Sequence, residues 1–573
     1  MTIRVRPVDR ARGSRDPNRR TMYTNLAFGA TVVIAILILV IVGVTSWYGA
    51  HLAAAATVDG QTITKDQFVD RATVEAFRLK QLANRVNAEV AAGRLTASQA
   101  SSRVDAINQQ LDDSQGAFSS TVVEKLIDTS VQAKAARELG VSVTPEQIEA
   151  KILEDKTRKE ERHVWLIAVK PEVTAPATEP TDAQKAAARK KAEDALASIK
   201  GGKAWEDIAK AVSTDPSKAT GGDLGWIDAN AIEQGDWQAA LFKLEVNGLT
   251  DVIPGEDGIY RIGRVTEIVG AEIDPAWDQK LEQAKVKPEA YRAAIESEVI
   301  RTLLGEKVVA DASKPGPQRR VQELKIAAPE APPGPKAIKV RHILYAPKDD
   351  PSNASTLPET DPEWTKAQLG AQAAYDKLKA DPSKFDEIAR KESDETSAQG
   401  DEGTGGKLPY FDPDSSIDED FAAVIFKEGL KPGDLLPPFK SSFGWHVVQV
   451  MYFPPDIDEM NKLMAAAAGG ADFGQLVRNF SEGSKSGTGG DIGWVAKGTL
   501  DDRLTDVILK TPKGSFTSVI DVKDDGLYLF KVLDEKTAAP DAEQLKTVES
   551  DAFGNWYAGR KAAATITRDL LGG

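Results

Sequence analysis

The pattern of apolar and polar positions divides the chain into stretches of different kinds. Leu26 to Val44 (LAFGATVVIAILILVIVGV) is a run of 19 residues without a charge, close to the ~20 needed to cross a bilayer core. Trp47 and Tyr48 follow where a membrane interface would lie. Residues 57–68 (TVDGQTITKDQF) alternate about an Asp-Gly turn and end in a Thr-x-x-Gln cap, which predicts a hairpin leading into a helix. Helical periodicity then covers about 66–93, 96–114 and 116–139, with Leu126, Ile127, Val131 and Leu139 on one face of the last. Gly140 ends that helix, and Thr144-Pro145-Glu146 opens another. The Pro-rich segments 171–181 and 314–336 read as a loop and an extended connector. Near the end, Leu545, Val548, Phe553 and Trp556 predict a packing helix within 541–573.

A repeat organises the rest. GGDLGW at 221–226, GGKLPY at 405–410 and GGDIGW at 489–494 are each preceded by a short helix pattern: AWEDIAKAVS, KFDEIARKES and DFGQLVRNFS. Each is followed by a strand pattern, with offsets from the first Gly of 39 to Tyr260, 41 to His446 and 39 to Tyr528. Three blocks in one order with such similar offsets mark three copies of one module.

Composition narrows the function. The chain has 573 residues, enough for several domains. Its net charge is −15; residues 1–24 hold seven Arg against Asp9 and Asp16, a local +5, so the remainder sums to −20. An acidic bulk argues against a nucleic-acid partner. The basic flank predicts a cytoplasmic tail at 1–24, a transmembrane helix at 25–48 and the bulk of the chain outside. Small residues at Ala53–Ala56 leave a cleaved signal peptide as the alternative, although such apolar cores usually span only about 7–15 residues. With no Cys there is no thiolate catalysis or zinc–thiolate site. No metal-ligand spacing, P-loop or G-x-S-x-G elbow occurs, so neither a cofactor nor a metal is expected.

In its middle copy the chain resembles the parvulin family of peptidyl-prolyl isomerases. VRHILYA (340–346), KFDEIARKESDET (384–396), GGKLPYF (405–411) and FGWHVVQV (443–450) follow in that family's order. The stretches TVDGQTITKDQF and VVEKLIDTSVQAKAARELGVSVTPEQIEAKI resemble the N-terminal chaperone domain of the SurA type. The resemblance implies an α+β multidomain chain. Its parts are a SurA-like helical domain (57–160 plus 276–312), a degenerate parvulin-like module (161–270), a parvulin domain (338–453) and a third module. That third copy has too little room for a first strand after residue 453. Either the middle domain is inserted into it, giving 320–329 plus 456–535 with Glu323 at the first histidine position, or it is truncated. In the first copy, Trp165 and Tyr260 are expected where the middle copy has His342 and His446; Tyr528 is expected in the third.

The resemblance also implies a site. His342 and His446 would lie side by side, hydrogen-bonded with Ser441, and Glu395 would supply the negative group where the family usually has Asp or Cys. Leu408, Ile417, Phe421 and Phe443 would hold a proline ring. Lys407-Leu408-Pro409 departs from the usual Asp-Leu-Gly. The expected activity is isomerisation of X-Pro bonds in unfolded or nascent exported polypeptides by a single-pass protein of the cell membrane. The bilayer and the secretion machinery are its other candidate partners. The rival readings are a holdase whose three copies only bind polypeptide, and a structural envelope protein.

Overall fold

The computed structural model describes residues 54–571 apart from 115, 174–179, 229–234, 256 and 524. The run Leu26–Val44, its basic flank and His51 lie outside the described residues. Among the described residues no helix is long and apolar enough to cross a membrane. The chain divides into two units, one running up to Thr302 and taken up again from Ala564, the other Leu303–Ala563.

The first unit opens with the hairpin that the Asp-Gly turn predicts. Strands Ala54–Val58 and Gln61–Thr64 flank Asp59 and Gly60, which take φ of 50° and 78°. Two positive φ values in a two-residue turn match the twist of paired strands. Thr64 then caps the helix Lys65–Ala91 in a reciprocal box with Gln67. The same box recurs at Thr96/Gln99, Thr144/Gln147 and Thr181/Gln184, each cap stabilising its helix by about 1 kcal/mol. Phe77 and Ile148 share a core with Trp277, Tyr291 and Ile295. The helices Trp277–Gln283 and Pro288–Ala312 thus return to those at the N-terminus.

The C-terminal stretch 541–573 differs from the single helix expected. The helix is Ala542–Ala563, and Ile566–Thr567 is a strand that pairs with Ala54–Val58. The free edge of that strand supplies the backbone partners that a continued helix would not need. The Asp59 carboxylate adds to them by accepting from Thr565 N–H (2.9 Å).

Three four-stranded antiparallel sheets share one strand order. In the first unit it runs Asp223–Asp228, Glu161–Val169, Tyr260–Val269, Ile253–Pro254. In the second unit it is Lys407–Phe411, Ile338–Tyr345, Trp445–Tyr452, Phe439–Lys440, and again Asp491–Val495, Gly316–Ala327, Gly526–Ala538, Ile520–Val522. Gly316–Ala327 lies between Asp491–Val495 and Gly526–Ala538 in its sheet. The whole middle sheet is therefore encoded between the first strand of the third sheet and the rest of it.

The Gly-Gly pairs have a common cause. The second glycine of each has φ of 80–90°, and a Cβ there would fall 2.1–2.5 Å from the carbonyl oxygen of the neighbouring strand: Leu166 at Gly222, His342 at Gly406, Glu323 at Gly490. Only glycine allows that approach.

The two sheets of the second unit share apolar contacts. Leu324, Ile326, Leu527 and Leu529 of the third pack with Met451 and Tyr452 of the middle one and with Met460 and Leu463. Leu324→Ala is expected to cost about 2–5 kcal/mol. Hydrogen exchange should then accelerate in both 526–532 and 447–452. Loss of protection confined to the third sheet would contradict a shared core.

Candidate active site

The middle sheet sets its site through register. His342 pairs with Val448 and Leu344 with His446, so the two histidines are diagonal neighbours on one face. Their rings stack at 5.3 Å between centroids with 18° between planes, and both are buried. Ser441, the residue immediately after the short strand Phe439–Lys440, is buried beside them.

A chain of hydrogen bonds runs through these side chains. Ser441 Oγ lies 2.6 Å from His446 Nε2, His446 Nδ1 lies 3.1 Å from His342 Nδ1, and His342 Nε2 meets Glu395 Oε2. Ser397 Oγ–H donates to Glu395 Oε1 (3.1 Å), and Phe443 N–H donates to Ser441 Oγ (3.1 Å). The hydrogen bond from His342 holds the Glu395 carboxyl below its usual range. Burial, then the neighbouring His342, drives the His446 imidazole well below its usual value, so that ring is neutral near pH 7.

With Glu395 ionised it accepts from His342 Nε2–H, and the neutral His446 ring carries one N–H. In the tautomer with that proton on Nδ1, Ser441 O–H donates to His446 Nε2, His446 Nδ1–H to His342 Nδ1 and His342 Nε2–H to Glu395, so every donor points towards the carboxylate.

Above the histidines stands an apolar wall. Phe421 lies edge-on to both imidazoles, at 5.9 Å from His342 and 5.1 Å from His446. Half-buried Leu408 and Ile417 pack into the same cluster. Phe421 and Ile417 are held by the start of the helix Glu419–Ile425, whose cap Asp418 accepts from Asp420 and Phe421 N–H and also from Ser442. Phe443 differs from the other three: it is 47% exposed and lies outside that cluster, and its N–H, donated to Ser441 Oγ, ties it to the row. Two residues that sequence reasoning missed complete the wall. Phe439 stacks on His446 at 5.4 Å and 20°, and Phe411 meets Phe421 edge-on at 6.1 Å. Phe411 ends the quoted GGKLPYF block, and Phe439 lies two residues before Ser441, so alternation along a strand was the available signal.

The Lys407–Pro409 departure is one coupled change. In the outer copies Asp223 accepts from Gly225 N–H (2.7 Å) and Asp491 from Gly493 N–H (3.0 Å). Pro409 has no N–H to give. Lys407 instead turns inward, buried, to Thr404 O (2.8 Å) and Asp386 (3.4 Å). Burial pushes its ammonium down to about 8.

The outer copies hold other side chains at the histidine positions. The strand contacts equivalent to His342 N–H to Gly406 O (2.8 Å) are Leu166 N–H to Gly222 O (2.7 Å) and Glu323 N–H to Gly490 O (2.8 Å). At the position equivalent to His446 stand Arg261, which pairs with Ala168, and Tyr528, which pairs with Lys325, as His446 pairs with Leu344. The first copy therefore has Leu166 and Arg261, not Trp165 and Tyr260. The offset from its Gly-Gly is 40, against 41 and 39 in the others, so the aromatic lands one residue away from the structural equivalent. Among the described residues no group of side chains could hold a metal ion.

A sheet wrapped by helices with paired buried histidines under an aromatic wall defines the parvulin class of domain. Comparison with known proteins agrees. The PPIC-type PPIASE domain family matches residues 342–452, a second family of that description matches 150–267 and 458–536, and the SurA-like N-terminal domain family matches 19–162. The chaperone SurA of Bordetella pertussis is 26% identical over 274 residues, 47% of this chain and 42% of that protein. The foldase protein PrsA of Staphylococcus aureus strain Newman is 37% identical over 112 residues, 19% of this chain and 31% of that protein. A crystal structure of PrsA from Bacillus anthracis aligns with 42% of this chain and 95% of its own at 14% identity and a TM-score of 0.19. The matches support a parvulin-type, SurA/PrsA-like foldase, with a SurA-like N-terminal domain and PPIC-type domains. The chain spans less than half the length of the curated relatives it matches.

The pKa directions fix a sign. His446 is depressed on folding, so its contribution to stability is present above the unfolded value of about 6.5 and is lost as pH falls. Glu395, also depressed, loses its contribution at lower pH still. Selective histidine NMR should find His446 neutral, with the proton on Nδ1, at pH 6. An imidazolium there, or a proton on Nε2, would contradict the proton arrangement.

Proposed function

We propose that the chain is an extracytoplasmic peptidyl-prolyl cis–trans isomerase and chaperone, and that the middle domain 338–453 is its catalytic part. The observation that carries this reading is the chain Glu395–His342–His446–Ser441 beneath the apolar wall of Phe421, Phe439, Leu408 and Ile417. Rotation about an X-Pro bond faces a barrier of about 18–20 kcal/mol. It needs no covalent step, only tighter binding of the twisted amide than of the planar one. Leu408, Ile417, Phe421 and Phe439 would hold the prolyl ring, with Phe443 closing over it. The buried polar row would offer its dipoles to the carbonyl and nitrogen as amide resonance is lost. In that reading His342, His446 and Ser441 act as one unit, and Glu395 orients it from the carboxylate end.

The outer modules, with Leu166/Arg261 and Glu323/Tyr528 at the histidine positions, would be scaffolding or polypeptide-binding parts. The helical domain 57–160 plus 276–312 would hold unfolded exported chains. The uncharged run Leu26–Val44 behind a basic flank would anchor the protein in the cell membrane with residues 1–24 in the cytoplasm. Exported polypeptides with X-Pro bonds are the substrates of this reading, and a secretion apparatus would be the neighbour that delivers them.

The test is a protease-coupled isomerisation assay on short X-Pro peptides, comparing the chain from Ala54 onward with its His342→Ala/His446→Ala form. Acceleration over the uncatalysed rate in the first, lost in the second, is the expected outcome. No acceleration by a folded protein, across several residues before proline, would leave the holdase reading in its place.

A further inference from the structure

Arg390, in the last turn of the helix Phe385–Glu392, has every guanidinium nitrogen engaged. Its Nε donates to Asp386 (2.8 Å), Nη1 to the carbonyls of Gly400 (2.8 Å), Asp401 (3.3 Å) and Gly403 (2.6 Å), and Nη2 to Ser486 Oγ (3.2 Å). The carbonyls belong to the loop behind the site and Ser486 belongs to the third module. Thr404 N–H donates to Ser397 O (2.7 Å) and Gly405 N–H to Ala398 O (3.2 Å). The loop that Arg390 grips is thus knitted to the segment carrying Glu395 and Ser397. Space there is tight: a Cβ on Gly487 would fall 2.4 Å from Asp401 O and 2.9 Å from Arg390 Cζ. The third module also reaches the strand bearing His342 from its other face, where Arg341 Nη1 donates to Asn479 Oδ1 (3.0 Å) and Lys339 to Glu482 (2.8 Å).

We propose that the third module is a brace for the middle site, with Arg390 as the positioning residue through which Ser486–Gly487 fixes Glu395 against His342. The proposal rests on the isomerase reading of that site. It gives the third copy a task that needs no histidines of its own, since its contact surface lies behind the site. It also explains a five-donor side chain at Arg390: one planar fork gathers three loop carbonyls, a carboxylate and a hydroxyl of the neighbouring module.

The experiment uses the full chain with selectively labelled histidine. Gly487→Ala forces the loop to shift, and Arg390→Lys keeps the charge beside Asp386 but loses the fork. Each is expected to move the His342 Nε2 signal towards that of Glu395→Gln. Each should also lower kcat/KM by roughly 10-fold to 100-fold with KM little changed, and add nothing further when combined with Glu395→Gln. An unmoved His342 signal in both folded variants overturns the brace, as do losses that add to that of Glu395→Gln. The NMR arm decides the brace even if the wild-type chain proves to have no isomerase activity, which would count against the isomerase reading alone. If Gly487→Ala does not fold, Arg390→Lys carries the test.

Discussion

The site depends on the register between Ile338–Tyr345 and Trp445–Tyr452. Because side chains alternate along a strand, a slip of one residue between the two strands would put the two histidines on opposite faces. That register holds His342 opposite Val448 and His446 opposite Leu344, and on the other side of the His342 strand Gly406 allows the edge strand to come close. The same close approach occurs at Gly222 and Gly490. The fold therefore keeps one geometry three times, while the residues at its two key positions change from His/His to Leu/Arg and Glu/Tyr. Scaffold and chemistry are specified separately.

Much of this was legible in the sequence, and the reasons are local. A turn of two positive-φ residues, a Thr-x-x-Gln box and a Gly-Gly approach are set by short-range sterics, so the hairpin, the helix starts and the repeat could be read directly. The two histidines fell into the only copy that has both. Other features depend on contacts far apart in sequence. The stretch from Gly-Gly to the last strand differs in length among the copies, so counting placed Tyr260 where the strand contacts place Arg261, and aligning WLIAV with the middle copy's first strand put Trp165 one residue short of Leu166. Phe439 and Phe411 belong to the aromatic wall only once the edge strands are in place. A serine ending each of the three short helices was visible in AWEDIAKAVS, KFDEIARKES and DFGQLVRNFS. Its task became clear only with the backbone N–H groups that Ser213, Ser393 and Ser481 cap at 3.1, 3.1 and 3.0 Å.

The departures at Lys407 and Pro409 show how a family pattern is broken in step. Losing the glycine N–H removes the reason for the aspartate, and a lysine at that position finds Asp386 and Thr404 inside. Those partners offset only part of the cost of burying an ammonium, which is why its pKa still falls to about 8. Burial keeps the His446 imidazole uncharged, and with its proton on Nδ1 the hydrogen bonds run towards Glu395. Burial, proton arrangement and the orientation of Glu395 are thus linked.

The central claim is that the middle copy alone binds a prolyl peptide in the orientation its wall and polar row define. The most direct measurement is NMR exchange spectroscopy of a labelled X-Pro peptide together with shift mapping on the protein. The account predicts cis–trans exchange peaks and perturbations centred on Phe421, Phe439, Phe443 and His446, with the outer copies' Leu166/Arg261 and Glu323/Tyr528 positions unmoved. Perturbations spread equally over the three copies without exchange peaks would contradict it.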